Sequence, residues 1–295
     1  VQDCERSPAG DLTGDLSSLN GLASVEQDCD AQSLGGFTEP EREWVGDDMS
    51  MLRSEGMMRV GTLNVRRTLG STVSLSGQQS TIDFVMELMD ELDIAFLSIQ
   101  EPSCRMSAVR EHLRPGFKLY GSEAGAKVCW LVRGHWAALV RARGYSVSKR
   151  IVVLRLAGKS ASRQVLVAYY GVSGSNNDAT ALREHEQYLC EGEQLSDGHI
   201  RRRRELIWAG DFNMAMRKQD GANIQSACCE RFQKFADGLN LSSAFVQQHP
   251  GIARRDGAFS REEGGSTSLI DHVLTELGSV GSVGILANSD LNTDH

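Results

Sequence analysis

The chain has 295 residues, 40% of them hydrophobic and only five of them proline, which is enough to bury a sizeable core and excludes a low-complexity or collagen-like chain. The formal net charge of −8 sits at one end: residues 1–56 hold thirteen Asp/Glu against three Lys/Arg, while the other 239 residues hold twenty-six against twenty-eight. An acidic body that would repel a polyanion is thereby excluded, and seven cysteines without a Cys-x-x-Cys or a spaced Cys/His set exclude a zinc frame or disulfide scaffold. The odd cysteine count and the lack of a signal peptide point to a reducing compartment, and no apolar run reaches the length of a membrane span. Beginning at Val1 and ending at His295, the chain reads as a piece of a longer product.

Residues 1–56 are rich in Gly, Ser, Asp and Glu without sustained periodicity and read as a disordered leader, with a folded domain over 57–295, truncated at its C-terminus. Residues 59–65 read as a short strand ending at Asn64. Ile82, Val85, Leu88, Met89 and Leu92 recur at the 3.6-residue period, so 80–93 reads as an amphipathic helix. The nearly continuous apolar run 94–99 reads as a buried strand with Gln100-Glu101-Pro102 at its C-terminal end. A second helix is expected over 106–113, then strands at 117–121, 127–132, 137–141 and 151–156. Another strand over 164–172 leads into the polar loop 173–177, and Asp178 can N-cap a helix running to about Glu193. Residues 206–209 form a strand that delivers Gly210-Asp211-Phe212-Asn213. A helix over 227–238, a strand over 243–247, an irregular Arg/Gly/Glu-rich loop over 250–266 and strands over 269–275 and 280–286 follow. Strands outnumber helices and the helices fall between them, which predicts an α/β or α+β sandwich of two sheets with helices outside.

The polar residues of interest share one position. Asn64, Glu101, Asp211 with Asn213, and Asp271 interrupt or end strong apolar strands. A lone carboxylate there is costly to desolvate, and several on one rim repel each other; a Mg²⁺ ion, which keeps most of its water and needs only one or two carboxylates, resolves that conflict. Taken singly, Glu101-Pro102 reads as a strand cap and Asp211 as a turn residue. Their joint order carries the argument.

That order resembles the exonuclease–endonuclease–phosphatase superfamily over residues 58–295. Leu63-Asn64-Val65 is similar to its opening Asn strand, Ile99-Gln100-Glu101 to its metal-binding segment, and Tyr170-Gly171 to its tyrosine strand end. Gly210-Asp211-Phe212-Asn213, Ile270-Asp271-His272 and Thr293-Asp294-His295 are similar to its three remaining segments. The resemblance implies an α/β (α+β) four-layer sandwich of two mixed β-sheets flanked by helices, and Mg²⁺ (or Mn²⁺) held by Glu101 with Asn64, Asp294 being a further outer ligand. It also implies that Asp211 activates or orients the attacking water or protonates the leaving oxygen. Asn213 and Tyr170 would donate to the phosphate, and Asp271 would orient His295, whose imidazolium meets the developing charge. Val172 stands where the family has proline, Leu269 where it has arginine, and its last core strand would lie beyond His295. Tyr169 competes with Tyr170 for the site, since alternation turns only one of them toward it.

Val60 to Arg66 is similar to the opening of LINE-type (non-LTR) retrotransposon endonucleases, which implies DNA as substrate, a reverse transcriptase downstream in the same polyprotein, and at least transient presence in the nucleus. Arg66 and the run Arg201, Arg202, Arg203 and Arg204 are candidate phosphate contacts, the run reading equally well as a solvated turn. Two rival readings are an inositol-phosphate phosphatase or lipid phosphodiesterase on the same fold, and an inactive interaction protein that retains the sandwich.

Overall fold

Period-two alternation along the strands decides which side chains meet. The computed structural model describes residues 44–47, 58–70, 80–157, 164–173, 179–200, 205–214, 227–249, 261–263, 266–276, 280 and 283–286. All of these belong to one unit, Glu41–His295; Val1–Pro40 lies outside the described residues. The first half of the unit runs β1 (Trp44–Gly46), β2 (Val60–Asn64), α1 (Thr81–Glu91), β3 (Phe96–Gln100), α2 (Met106–Glu111), β4 (Phe117–Gly121), β5 (Val128–Arg133), α3 (Trp136–Leu139), β6 (Val140–Tyr145) and β7 (Ile151–Leu156). The second half runs β8 (Gln164–Tyr170), α4 (Ala179–Ile200), β9 (Glu205–Asp211), α5 (Ala227–Gly238), β10 (Leu241–Ser243), α6 (Ala244–Gln248), β11 (Arg261–Glu263), β12 (Ser266–Ser268), β13 (Asp271–Glu276) and β14 (Gly284–Leu286).

Two mixed sheets form the centre, a four-stranded one in the order β2-β3-β5-β4 and a six-stranded one in the order β10-β13-β9-β8-β7-β6. The pairs β2–β3 and β8–β9 are parallel and every other pair in the two sheets is antiparallel. Along β8, Leu166, Ala168 and Tyr170 join an apolar layer with Phe96, Trp130, Val152, Leu154 and Ala209, contributed by strands of both sheets. The alternate residues Val165, Val167 and Tyr169 join the other face of the six-stranded sheet with Leu189 of α4 and Phe232 and Phe235 of α5. On the far side, Leu97 and Ile99 pack with Ile82, Val85 and Met89 of α1 and Met106 and Val109 of α2. The order is helices, sheet, sheet, helices: the four-layer sandwich. Ser98 ties the sheets together internally, its Oγ donating to the carbonyl of Ala209 at 2.9 Å.

Some local expectations change. The strand expected at 137–141 is a single helical turn, α3, that passes into β6. Gly134, at φ +60°, turns the chain, and Ala137 and Ala138 donate backward to the carbonyls of Gly134 and His135. The strand expected at 243–247 is α6, whose Phe245 is buried in a small cluster with Leu269. Helix α4 continues to Ile200, beyond the expected Glu193, and the 250–266 loop carries β11 paired with β12. Asp178 lies outside the described residues. So does the expected leader 1–56 apart from 44–47, where β1 pairs antiparallel with β14. The amide of Asp47 donates to Val283 O at 3.0 Å, and that of Val283 to Asp47 Oδ2 at 2.9 Å. These bonds span more than 230 residues, so no local periodicity announces them.

Candidate active site

The same alternation that builds the layer between the sheets also sets its polar end. Val60 and Phe96 contribute to that layer, and Thr62, Asn64, Ser98 and Gln100 continue their faces. Tyr170 continues the series of Leu166 and Ala168, Asp211 follows Ile207 and Ala209, and Asp271 precedes Val273. Because β2–β3 and β8–β9 are parallel pairs, Asn64, Gln100, Tyr170 and Asp211 all stand at carboxyl ends of strands, register partners in twos. The antiparallel β13 begins at that edge, with Asp271 opposite Asp211. Ligand sites form where strand ends converge outside a sheet, and here two sheets converge.

Asn64 is the hub. Only 1% exposed, it donates through Nδ2 to Asp211 Oδ2 at 3.0 Å and to Glu101 Oε1 at 3.3 Å. Its Oδ1 accepts the backbone amide of Arg66 at 3.0 Å, so the amide nitrogen is the group turned to the carboxylates. Glu101 also accepts the Tyr170 hydroxyl on Oε1 at 2.7 Å, while its Oε2 faces the exposed Arg67 guanidinium at 3.7 Å. Asp211 Oδ1 accepts the amide of Asn213 at 2.8 Å. Burial, followed by the bond to Glu101, pushes the Tyr170 phenol well above its usual range, so it remains a proton donor.

Four of these residues hold unusual backbone, Arg66 (φ 42°) and Arg67 (φ 68°) among them. Glu101 (φ 52°) and Asn213 (φ 53°) are left-handed non-glycine residues, a conformation that persists only where surroundings enforce it. At Glu101 the carbonyl accepts the amide of Arg67 at 2.8 Å and the amide donates to Lys127 O at 2.9 Å. Asn213 follows a tight approach of the chain at the ends of β8 and β9. A side chain on Gly210 would overlap the Tyr169 carbonyl and one on Gly171 the Phe212 carbonyl, which explains both glycines. Asn213 Nδ2 is a buried donor with no partner among the described residues.

Tyr169 turns the other way, fully buried and stacked on Phe212 at 4.8 Å between ring centroids, its hydroxyl without a partner among the described residues. The histidine that follows Asp271 also points away: His272 bridges Met214 O at 3.1 Å and Ser243 Oγ at 3.3 Å, and burial pushes its pKa down to about 4. Arg66 is exposed near the hub. Asp294, His295, Arg201, Arg202, Arg203 and Arg204 lie outside the described residues.

Three participants were given no role from the sequence, although Gln100 lies within the Ile99-Gln100-Glu101 segment. Gln100 is buried, accepting from Thr62 Oγ1 at 3.1 Å and donating to Ser98 Oγ at 2.7 Å, so it braces β2 and β3 under the site. Arg67 stands beside Glu101. Arg150, which precedes β7, packs its guanidinium against Tyr170.

The donor set suits a hydrated divalent ion. Among the described residues no three His, Cys, Asp or Glu side chains cluster tightly enough for an all-protein metal cage. At the rim, beside Asp211 and Asp271, Glu101 is about a quarter exposed, braced on one oxygen and faced on the other, among the described residues, by the solvated Arg67 cation. Mg²⁺ needs one or two such ligands and fills its remaining positions with water and substrate oxygens.

No protein-family model matches the sequence, and no curated protein matches it. Solved structures do share its fold. An AP endonuclease from Archaeoglobus fulgidus superposes with a TM-score of 0.56 at 14% identity, over 74% of this chain and 86% of that one. The catalytic domain of Xenopus laevis APE2 gives 0.56 at 13% identity, over 75% and 82%. The 3′ phosphatase NExo from Neisseria, bound to a product DNA hairpin, gives 0.55 at 17% identity, over 75% and 87%. The chain therefore shares the fold of these endonuclease and phosphatase structures.

Proposed function

We propose that this chain is a divalent-metal-dependent phosphodiesterase that nicks DNA as the endonuclease of a non-LTR retrotransposon. The observation that carries the hydrolytic reading is the Asn64 amide nitrogen, which joins Glu101 and Asp211 from different sheets into one constellation, beside a buried Asn213 donor that has no partner among the described residues. The choice of DNA rests on the shared fold with an AP endonuclease and with a phosphatase bound to a DNA hairpin. The retrotransposon assignment rests on the segment Val60 to Arg66, and it carries with it a reverse transcriptase in the same polyprotein and access to the nucleus.

In this reading Glu101 holds Mg²⁺ or Mn²⁺, with Asn64 fixing the Glu101 carboxylate and Asp294 as a further ligand. When bound, the ion supplies Lewis-acid charge at the phosphoryl oxygens. Asp211, oriented by the Asn64 side chain and the Asn213 amide, takes the proton of the attacking water. Asn213 Nδ2 donates to a non-bridging phosphate oxygen. Tyr170 keeps its proton and directs it to Glu101, or to a phosphate oxygen once substrate arrives. Asp271 orients His295, whose cation meets the charge that develops on the phosphoryl oxygens. Arg66, Arg67 and the arginines at 201–204 would supply cations for the phosphates of the DNA strand.

The test is Mg²⁺-dependent nicking of supercoiled plasmid by the chain, abolished in Asp211→Ala. An Asp211→Ala protein that still nicks overturns the mechanism. Turnover of inositol polyphosphates or sphingomyelin without nicking overturns the substrate, and a folded protein that binds no metal and turns over nothing is an interaction protein.

A further inference from the structure

Arg150 precedes β7, outside every segment that carries the proposed chemistry, yet its side chain is committed to one. Nη1 donates to the carbonyls of Gly171 at 2.6 Å and Tyr170 at 3.2 Å. The guanidinium lies over the Tyr170 ring at 4.9 Å and over the Tyr188 ring of α4 at 5.1 Å, a cation between two π faces. The backbone adds a third tie, Tyr170 N donating to Arg150 O at 3.0 Å. A planar fork meets two successive carbonyls and two flat rings at once in a way that lysine, a single rotatable point charge, does not reproduce.

The clamped residues are the ones that hold the two halves of the site. Tyr170 reaches Glu101 through its hydroxyl, and Gly171 N donates to Asp211 O at 2.7 Å. We infer that Arg150 is a positioning residue: it fixes the ring and carbonyl of Tyr170 so that the phenol meets Glu101, and the carbonyl of Gly171 so that the β8 end stays against Asp211. This rests on the hydrolytic reading above for its consequence in catalysis, but the geometric claim can be read without any turnover.

The experiment uses the chain labelled with ¹³C-tyrosine, whose five tyrosines give a countable spectrum, with Tyr170 assigned by Tyr170→Phe. Arg150→Lys and Glu101→Gln should both move the Tyr170 signals, and Tyr188→Leu, which removes one ring and spares the carbonyl bonds, should move them less. In single-turnover nicking, Arg150→Lys should lose between about tenfold and about a hundredfold in rate, the scale of a small misplacement of catalytic groups. DNA affinity and its salt dependence should stay as in the parent. In a Tyr170→Phe background the same substitution should cost less than it does in the parent, because the arm that runs through the Tyr170 phenol is already gone and only the one through Gly171 remains.

Tyr170 signals that ignore both Arg150→Lys and Tyr188→Leu overturn the inference. So do losses that multiply in the double variant, or a loss confined to DNA affinity with a shallower salt dependence, which would make Arg150 a phosphate contact. A parent protein that never nicks, with Tyr170 signals that still answer to Arg150 and Glu101, removes the hydrolytic reading and leaves the positioning role intact.

Discussion

Asp211 and Asp271 are register partners across the antiparallel β9–β13 ladder, so two carboxylates emerge side by side on the face that continues the layer between the sheets. Like charges opposed in a ladder destabilise it, by roughly 0.2–1 kcal/mol for an exposed pair. Asp271→Asn removes one charge and should hold or raise the melting temperature in metal-free buffer while cutting nicking by about 10²-fold or more. A clear drop in melting temperature would show that the pair is already compensated.

Asn64 offers one nitrogen to two carboxylates and one oxygen to the Arg66 amide. Asn64→Ala leaves those buried groups short of partners, which should lower stability by about 1–3 kcal/mol. The urea midpoint should move with the m-value unchanged. The Mg²⁺ concentration giving half-maximal nicking should rise, because Glu101 loses its brace. An unchanged requirement for metal would separate Asn64 from the metal-holding residue.

Neighbouring tyrosines should respond in opposite ways. Tyr169 keeps a buried hydroxyl with no partner among the described residues, so Tyr169→Phe should stabilise the fold, by up to about 1–2 kcal/mol, with nicking intact. Tyr170→Phe deletes the 2.7 Å bond to Glu101 and should slow nicking with little change in melting temperature. Equal effects of the two substitutions on nicking would contradict the assignment of faces.

Acid should destabilise the protein through its buried histidines. Burial holds His272 at about 4 instead of the usual 6.5, and burial together with Arg150 holds His185 at about 4. With a depressed folded pKa, the full stability is present above pH 6.5. As pH falls from 6.5 toward 4 the unfolded chain takes up protons that the folded one refuses, and His272 alone then costs up to roughly 3 kcal/mol. Urea unfolding at pH 7, 6 and 5 should show this slope, and His272→Gln should flatten it. An identical slope in the variant would assign the acid sensitivity elsewhere.

The candidate polar residues could be picked out because each interrupts or bounds an apolar strand, where a polar side chain stands out. For Asn64, Glu101, Asp211 and Asp271 that contrast was not enough singly and their joint order carried the reading, while the alternation of strands and helices was enough for the sandwich. Residues 137–141 and 243–247 misled because short apolar runs read as strand or helix alike. Backward hydrogen bonds to Gly134 and His135 decide the first, and burial of Phe245 accompanies the helix in the second.

What the sequence determined by itself is local: the period of each element and the residues at its ends, both set by neighbours a few positions away. What only the tertiary structure decided is relational. Register turns Tyr170 toward Glu101 and Tyr169 toward Phe212, and folding brings Arg150 onto the Tyr170 ring. Asn64 meets Asp211 across 147 residues, and Trp44–Gly46 meets Gly284–Leu286 at nearly opposite ends of the chain. Such pairings depend on loop closure and on complementary surfaces distant in the chain, and neither leaves a periodic mark on the residues that make them.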